Sequence, residues 1–280
     1  MFEQLFSLFT LLPFEWAQFQ FMFLAILAIL LIAPLLAIVG TLATDNQMTF
    51  FSDAVGHAAI TGLAIATLAE LETSLWGIVL YAQLIALVLF LLKRFSNIKT
   101  DALIGIIANF SVALGIVLLS YTSGLNRLNT ILFGSILSIG SEDLTFLCIS
   151  ALVLYPLIIF LYKVFWLVSV SPTLAKSRGL NFALFEYVLL AIIALVISVS
   201  ILWIGVLVLN AMLILPASIA KNIGVGIKKY LTYSIIIGII SSVGGLLFSY
   251  YFGTSTGATI VLLQTIIFML TLLKNIKIKQ

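Results

Sequence analysis

The sequence predicts an all-α membrane protein, a polytopic helical bundle with about nine membrane segments. Hydrophobic residues make up 63% of its 280 positions and charged residues only 8%, whereas a soluble domain carries about 25% charge. The apolar runs are as long as the roughly 20 residues that a bilayer-spanning helix needs. The strands of a membrane barrel would instead appear as short alternating segments. The mean hydropathy of +1.31 agrees with a chain that lies largely in lipid.

The first 18 residues are predicted to form an interfacial segment, because Glu3, Pro13, Glu15 and Trp16 interrupt their apolar run. Residues 19–280 are predicted to form a single transmembrane domain.

Residues 121–140 are only half apolar, and we expect a short or re-entrant helix there that lines a cavity. The nine predicted spans are 19–40, 48–68, 75–92, 102–120, 141–162, 185–203, 204–220, 230–251 and 254–273.

The boundary between the sixth and seventh spans is the least obvious one. Residues 187–220 carry no formal charge, which makes the run too long for one ordinary span and short for two. Trp203 is a suitable interfacial anchor and Gly205 a suitable helix break. The sequence therefore predicts two helices that are separated near Gly205.

The basic residues predict the orientation of the chain. With nine spans, all but one of the 13 Lys and Arg residues fall on the same side of the membrane, and only Arg127 falls on the other. Loops rich in Lys and Arg stay in the cytoplasm, so we expect the N-terminus outside and the C-terminus inside. The residues on the cytoplasmic side are Lys93, Arg94, Lys99, Lys163, Lys176, Arg178, Lys221, Lys228, Lys229, Lys274, Lys277 and Lys279.

A cytoplasmic loop near residues 169–180 is predicted to contain a short helix. Pro172 suits the first helical turn, with Ser171 as the cap before it. Basic residues and Gly179 suit the end of such a helix. A short helix in a cytoplasmic loop is a natural docking element for a partner protein.

The only histidine, His57, follows Asp53 by four residues inside the second span. This spacing places both side chains on one helix face. An acid at the centre of a spanning helix costs roughly 2.5–3.5 kcal/mol, so the pair indicates a polar path or site inside the membrane. His57 lies roughly 14 Å from the helix start at Met48, near mid-membrane. Carboxylate and imidazole are suitable ligands for a transition-metal ion, although a hydrogen-bonded pair that fixes helix packing remains an alternative.

Three other polar residues are candidates for functional roles. Glu142 and Asp143 flank the outer end of the fifth span. They are either solvated interfacial charges or an acidic vestibule that attracts cations. Asn210 lies among apolar neighbours in the seventh span, where we expect it to make an interhelical hydrogen bond.

Several function classes lack their signature in this sequence. It contains no P-loop, no cysteine pair or histidine cluster for a closed zinc site and no hydrolase motif of the G-x-S-x-G or H-E-x-x-H type. The charges form no patch for nucleic acid. Transport is therefore the favoured function.

Six blocks of sequence carry a resemblance to a known family. The blocks are SDAVGHAAITGLAIA (52–66), DALIGIIANFSVALGIVLLS (101–120), LFGSILSIGSEDL (132–144), SPTLAKSRGL (171–180), IGVLVLNAMLILPASIAKNI (204–223) and SYYFGTSTGATIVLL (249–263). The most specific block contains Asp53 and His57. Through these blocks the chain resembles, from about residue 20 to 265, the permease subunits of bacterial ABC importers for zinc, manganese or iron(II).

The resemblance implies a multi-pass permease of the bacterial inner membrane without an ATP site of its own. It implies a second permease subunit, a cytoplasmic ABC ATPase dimer and an extracytoplasmic metal-binding protein as partners. Asp53 and His57 match the motif associated with metal passage. The segment that would couple to the ATPase comprises Ser171, Pro172, Thr173, Leu174, Ala175, Lys176, Ser177, Arg178 and Gly179.

The sequence departs from this family at two positions. Ser171 stands where family members usually carry an acid, and Asp45 stands in a loop where they tend to carry basic residues. Two other functions remain open. One is an ABC permease for a metal chelate such as a siderophore or vitamin complex. The other is a membrane-embedded metal-dependent hydrolase, for which one His and one carboxylate fall short of the usual three protein ligands.

Overall fold

The structure is a computed structural model that describes residues 2–11, 13–71, 73–121, 132, 134, 136–223 and 226–279. Over these residues it is all-helical, with two 3-10 turns (Glu15–Gln18 and Ile136–Ser138) and no strand. The α-helices of this part of the chain are α1 (Phe2–Phe9), α2 (Gln20–Asp45), α3 (Thr49–Leu68), α4 (Ser74–Phe95), α5 (Thr100–Ser120), α6 (Ser141–Val170), α7 (Pro172–Ser177), α8 (Phe182–Ile204), α9 (Val206–Ile223), α10 (Ile227–Phe252) and α11 (Thr256–Lys279).

Nine helices in the described ranges are long and apolar enough to cross a membrane, namely α2–α6 and α8–α11. Each coincides with one predicted span, so the predicted helical membrane bundle is confirmed. The predicted break between the sixth and seventh spans is also present, because Gly205 alone separates α8 from α9. Its backbone has φ 81° and ψ 156°, a conformation that is essentially restricted to glycine.

Close contacts at glycine hold α3 against α4 and α5. A Cβ atom at Gly62 of α3 would lie 2.5 Å from the Cα atom of Ile78 in α4, and a Cβ at Gly115 of α5 would lie 2.8 Å from the backbone nitrogen of Thr61. Small residues let membrane helices approach this closely, which increases their van der Waals contact. Thr61 also donates a hydrogen bond from its hydroxyl to the carbonyl of Ser111. These contacts fix the helix that carries Asp53 and His57.

Helix α2 forms the centre of the other half of the bundle and packs against α6, α9 and α10. A Cβ atom at Gly40 would overlap the carbonyl oxygen of Leu213 in α9. The Tyr155 hydroxyl of α6 donates to the carbonyl of Leu31 at 2.7 Å, and the Ser234 hydroxyl of α10 donates to the carbonyl of Ala37 at 3.2 Å. The contact at Gly40 sets how closely α9 packs against α2.

Aromatic contacts attach the N-terminal segment to α2. The ring of Phe9 lies 5.6 Å from that of Trp16 and 5.1 Å from that of Phe23. The interfacial position of this segment remains a prediction.

The stretch 121–140, expected as a short or re-entrant helix, lies largely outside the described residues, as does Arg127. Within it, Gly134 has φ +63°, and a Cβ there would overlap the backbone of Ile204 and Gly205. Gly134 therefore lies directly against the break between α8 and α9.

Candidate functional site

Asp53 and His57 lie one turn apart on α3, with 3.5 Å between His57 Nε2 and Asp53 Oδ2. Their side chains are 49% and 33% exposed, respectively, whereas the neighbouring residues Ser52, Ala54 and Ala58 are buried. The pair therefore occupies an open face of a helix that is otherwise packed against its neighbours. A carboxylate on such a face of a membrane helix needs a polar environment.

Asn210 of α9 completes a cluster of three polar side chains. Its Nδ2 donates a hydrogen bond to Asp53 Oδ1 at 2.8 Å. The two carboxylate oxygens of Asp53 thus have different neighbours, one from α3 and one from α9. The predicted interhelical bond of Asn210 is present, but the sequence did not indicate that Asp53, 157 positions earlier, is its partner.

The helix break at Gly205 places Asn210 beside α3. Val206, the first residue of α9, packs on Gly56, where a Cβ atom would lie only 2.6 Å from Val206 Cγ1. Asn210 follows Val206 by four residues and therefore lies on the same face of α9. Gly56 thus permits the close approach that brings Asn210 within reach of Asp53.

A cavity of about 350 Å³ opens onto these side chains. Leu132, Val206 and Leu207 supply its apolar walls, while Asp53, His57 and Asn210 supply its polar groups. Within the part of the chain that the structure describes, the buried atoms His57 Nδ1 and Asn210 Oδ1 have no hydrogen-bond partner. Buried polar atoms without partners are uncommon and call for an explanation; here both belong to side chains that line one cavity.

The donor types suit a divalent transition-metal ion. One carboxylate, one imidazole and one amide oxygen are ligand types found for manganese, iron(II) and zinc. Across the described ranges, no group of three or more His, Cys, Asp and Glu side chains could hold a metal ion. A single chain therefore offers an incomplete ligand shell, which suits an ion in passage better than one held permanently.

Glu142 and Asp143 lie in the first turn of α6 and do not line the cavity at Asp53 and His57. Asp143 Oδ2 accepts a hydrogen bond from the backbone nitrogen of Gly140 at 3.0 Å and so caps the helix, while Glu142 is exposed. The structure therefore gives Asp143 a local structural contact that the sequence analysis did not assign. Both acids stay candidates for an acidic vestibule.

The helix α7 lies where the sequence predicts a short helix, directly after Ser171. The Ser171 carbonyl accepts from the backbone nitrogen of Ala175 at 3.1 Å, and the segment ends at Gly179 with φ +73°. Ala175 is buried, whereas Thr173 and Arg178 are exposed. Glu142 lies at the start of α6 and this segment follows its end, so the 30-residue helix places them about 45 Å apart along its axis.

Comparison with known proteins identifies the class of molecule. Residues 18–275 match the model of the ABC 3 transport family. The chain is 30% identical over 256 residues to the manganese transport system membrane protein MntC of Listeria monocytogenes, and the matched region covers 91% of each protein. It is 28% identical over 263 residues to the high-affinity zinc uptake system membrane protein ZnuB of Haemophilus influenzae, covering 92% of this chain and 99% of that one. These relatives are named as membrane proteins of transport systems, not as enzymes.

Two solved structures share the fold. PsaBC from Streptococcus pneumoniae in complex with Fab superimposes with a TM-score of 0.80 at 29% identity, over 91% of both chains. An inward-facing putative metal-chelate type ABC transporter superimposes with a TM-score of 0.71 at 18% identity, over 90% of this chain and 86% of that one. The second likeness concerns the fold alone. The family match over residues 18–275 confirms the resemblance seen in the sequence, and the chain belongs to the ABC 3 transport family.

Proposed function

We propose that the chain is the permease subunit of an ATP-driven importer for a divalent transition-metal ion, namely zinc, manganese or iron(II). The observation that carries this proposal is the cluster of Asp53, His57 and Asn210 on a cavity between apolar helices. The names of its relatives, which refer to manganese, zinc and iron transport, support this class of cargo.

Asp53 and His57 are proposed to be metal ligands in the transport path, with Asn210 orienting the Asp53 carboxylate. Asp53 Oδ1 is held by Asn210, which leaves Oδ2, beside His57, to bind the ion. Ligands of a metal site are commonly oriented by such outer hydrogen bonds. Because the shell is incomplete, the ion is bound weakly enough to be released to the other side.

Two copies of the chain are proposed to form the path. An acid costs roughly 2.5–3.5 kcal/mol at the centre of a spanning helix. Asp53 on the half-exposed face of α3 would be destabilising to this extent if that face were in contact with lipid. Two such faces around one axis would instead place two carboxylates and two imidazoles around the ion. The polar face of each chain would then be shielded from lipid by the other.

ATP is proposed to drive transport through a separate ATPase dimer that contacts the segment Ser171–Gly179. The short helix α7, with exposed Thr173 and Arg178, provides a suitable contact surface. We propose that this side is cytoplasmic, that the N-terminus is outside, and that an extracytoplasmic metal-binding protein delivers the ion near Glu142 and Asp143. Alternating access then follows from movement of the two permease subunits as ATP binds and is hydrolysed.

The test is uptake of radioactive zinc and manganese by cells that lack the native gene and express variants. Asp53→Ala and His57→Ala should abolish uptake while the assembled complex is still recovered with its ATPase. Asn109→Ala is a suitable control because Asn109 is an exposed polar residue on α5. Wild-type uptake by both site variants would refute the assignment, and uptake of a chelate alone would favour the other transport function.

A further inference from the structure

A second cavity, of about 630 Å³, lies where the end of α4 meets the start of α8. Its lining includes the basic residues Lys93 and Arg94, the acid Glu186 and the aromatic rings of Phe90 and Phe182. It shares no lining residue with the cavity at Asp53 and His57. It therefore requires an explanation other than the metal path.

Among the described residues, the charges that line this cavity leave one cation without a counter-ion. Lys93 Nζ pairs with Glu186 Oε1, so these two groups neutralise each other. Arg94 is exposed, and no carboxylate among the described residues lies within 4 Å of its guanidinium. The planar guanidinium presents a fork of N–H donors that matches the oxygens of a phosphate group.

Apart from its charged residues and the polar Asn181, the lining of the cavity is apolar. Phe90 and Phe182 line it, and Phe95 and Leu184 beside it are 80% and 55% exposed. Both helices are long and apolar enough to cross a membrane, and apolar side chains exposed near their ends would then meet the hydrocarbon or its boundary. The cavity thus combines a cationic group with an apolar wall at the end of two spans, which is the pattern of a lipid headgroup pocket.

We propose that this cavity binds an anionic phospholipid, with Arg94 contacting the phosphate and with Phe90 and Phe182 contacting the upper part of an acyl chain. Inorganic phosphate offers the same oxygens but no acyl chain. A lipid should therefore bind by both parts of the pocket and free phosphate only by Arg94. The inference concerns lipid binding and stands independently of which cargo the transporter carries.

The test is native mass spectrometry of the full-length chain released from detergent after incubation with equal amounts of phosphatidylglycerol and phosphatidylcholine of identical acyl chains. The wild-type chain should retain phosphatidylglycerol preferentially, and Arg94→Gln should lower that preference about fivefold, the effect of one basic residue near an anionic surface. Arg94→Lys should keep part of it. Lys228→Gln removes an exposed charge at the start of α10, outside the cavity lining, and should have no effect.

Three results with correctly folded protein would overturn the proposal, and a fourth applies if Arg94→Gln does not fold. The first is equal retention of phosphatidylglycerol by the wild-type chain and Arg94→Gln. The second is displacement of the lipid by millimolar inorganic phosphate, which would make the pocket a phosphate site. The third is loss of the lipid when the ATPase subunits are bound, which would make the cavity part of a protein interface. If Arg94→Gln fails to fold, the test is the preference of the wild-type chain for phosphatidylglycerol over phosphatidylcholine in about 1 M salt. This preference should fall, because such salt screens exposed charges beyond about 3 Å. An unchanged preference there would also overturn the proposal.

Discussion

Asn210 Nδ2 and Asp53 Oδ1 are joined by a hydrogen bond of 2.8 Å that links α9 to α3. The bond connects the two helices that line the candidate metal site and fixes one of the two carboxylate oxygens of Asp53. Loss of Asn210 would change the orientation of the Asp53 carboxylate but would leave the carboxylate in place. Removal of Asn210 should therefore weaken metal uptake without abolishing it.

We expect Asn210→Ala to raise the metal concentration for half-maximal uptake about 10- to 100-fold, the usual cost of losing an outer hydrogen bond to a metal ligand. Initial uptake rates over a range of zinc and manganese concentrations measure this. Asn109→Ala on α5 is the matched control. An unchanged concentration dependence would show that Asn210 only joins the two helices.

We expect Gly56→Ala to reduce uptake, because the new Cβ atom would lie 2.6 Å from Val206 Cγ1 and would push α9 away from α3. The double variant Gly56→Ala with Val206→Ala removes the obstructing methyl groups and should restore part of the activity. A double-mutant cycle on uptake rates measures this coupling. Simple additivity of the two substitutions would mean that the contact does not position Asn210.

We expect Gly205→Ala to lower the free energy of unfolding by about 1–3 kcal/mol, because its φ of 81° with ψ of 156° is strained for any residue with a Cβ atom. The control is Gly105→Ala within α5, where an added Cβ meets nothing within 4 Å and alanine favours the helix by up to about 1 kcal/mol. Unfolding of both purified variants in detergent gives the comparison. Equal stability of the two variants would argue against a strained break.

Asp45, the last residue of α2, forms an ion pair with Lys221 of α9 at 3.0 Å. Lys221 therefore places a positive charge opposite Asp45 across the contact between α2 and α9. Lys221 is 55% exposed but Asp45 only 16%, so Lys221→Gln leaves a largely buried carboxylate without its counter-ion and should cost about 1–3 kcal/mol of stability. Denaturant unfolding in detergent measures this, and an unchanged stability would contradict it.

Much of the fold could be predicted from the sequence because hydropathy and helix length are local properties. The nine spans follow from apolar runs, and the break at Gly205 from one glycine inside a long uncharged run. The pair of Asp53 and His57 could be found because both lie one turn apart on one helix. Asn210 could be recognised as a polar residue that needs a hydrogen-bond partner on another helix. The identity of that partner depends on which helices pack together, which the sequence does not show.

The contacts that build the site could not be predicted, because they also depend on which helices pack together. Gly56 meets Val206, and Gly40 meets the backbone of Leu213, but no local pattern distinguishes these glycines from others in the spans. Leu132 lines the cavity, and the sequence placed the stretch 121–140 beside a cavity without indicating which of its residues would reach Asp53 and His57. The capping role of Asp143 could have been found from its spacing, three residues after Gly140 at a helix start.

The most direct test of the proposed metal path is the position of the ion in the assembled transporter. Anomalous scattering from crystals soaked in zinc and in manganese should give a peak bonded to Asp53 and His57, at about 2.0–2.2 Å for zinc, and the peak should vanish in Asp53→Asn. A metal peak bound elsewhere in the membrane region, or an undiminished peak in that variant, would contradict the account.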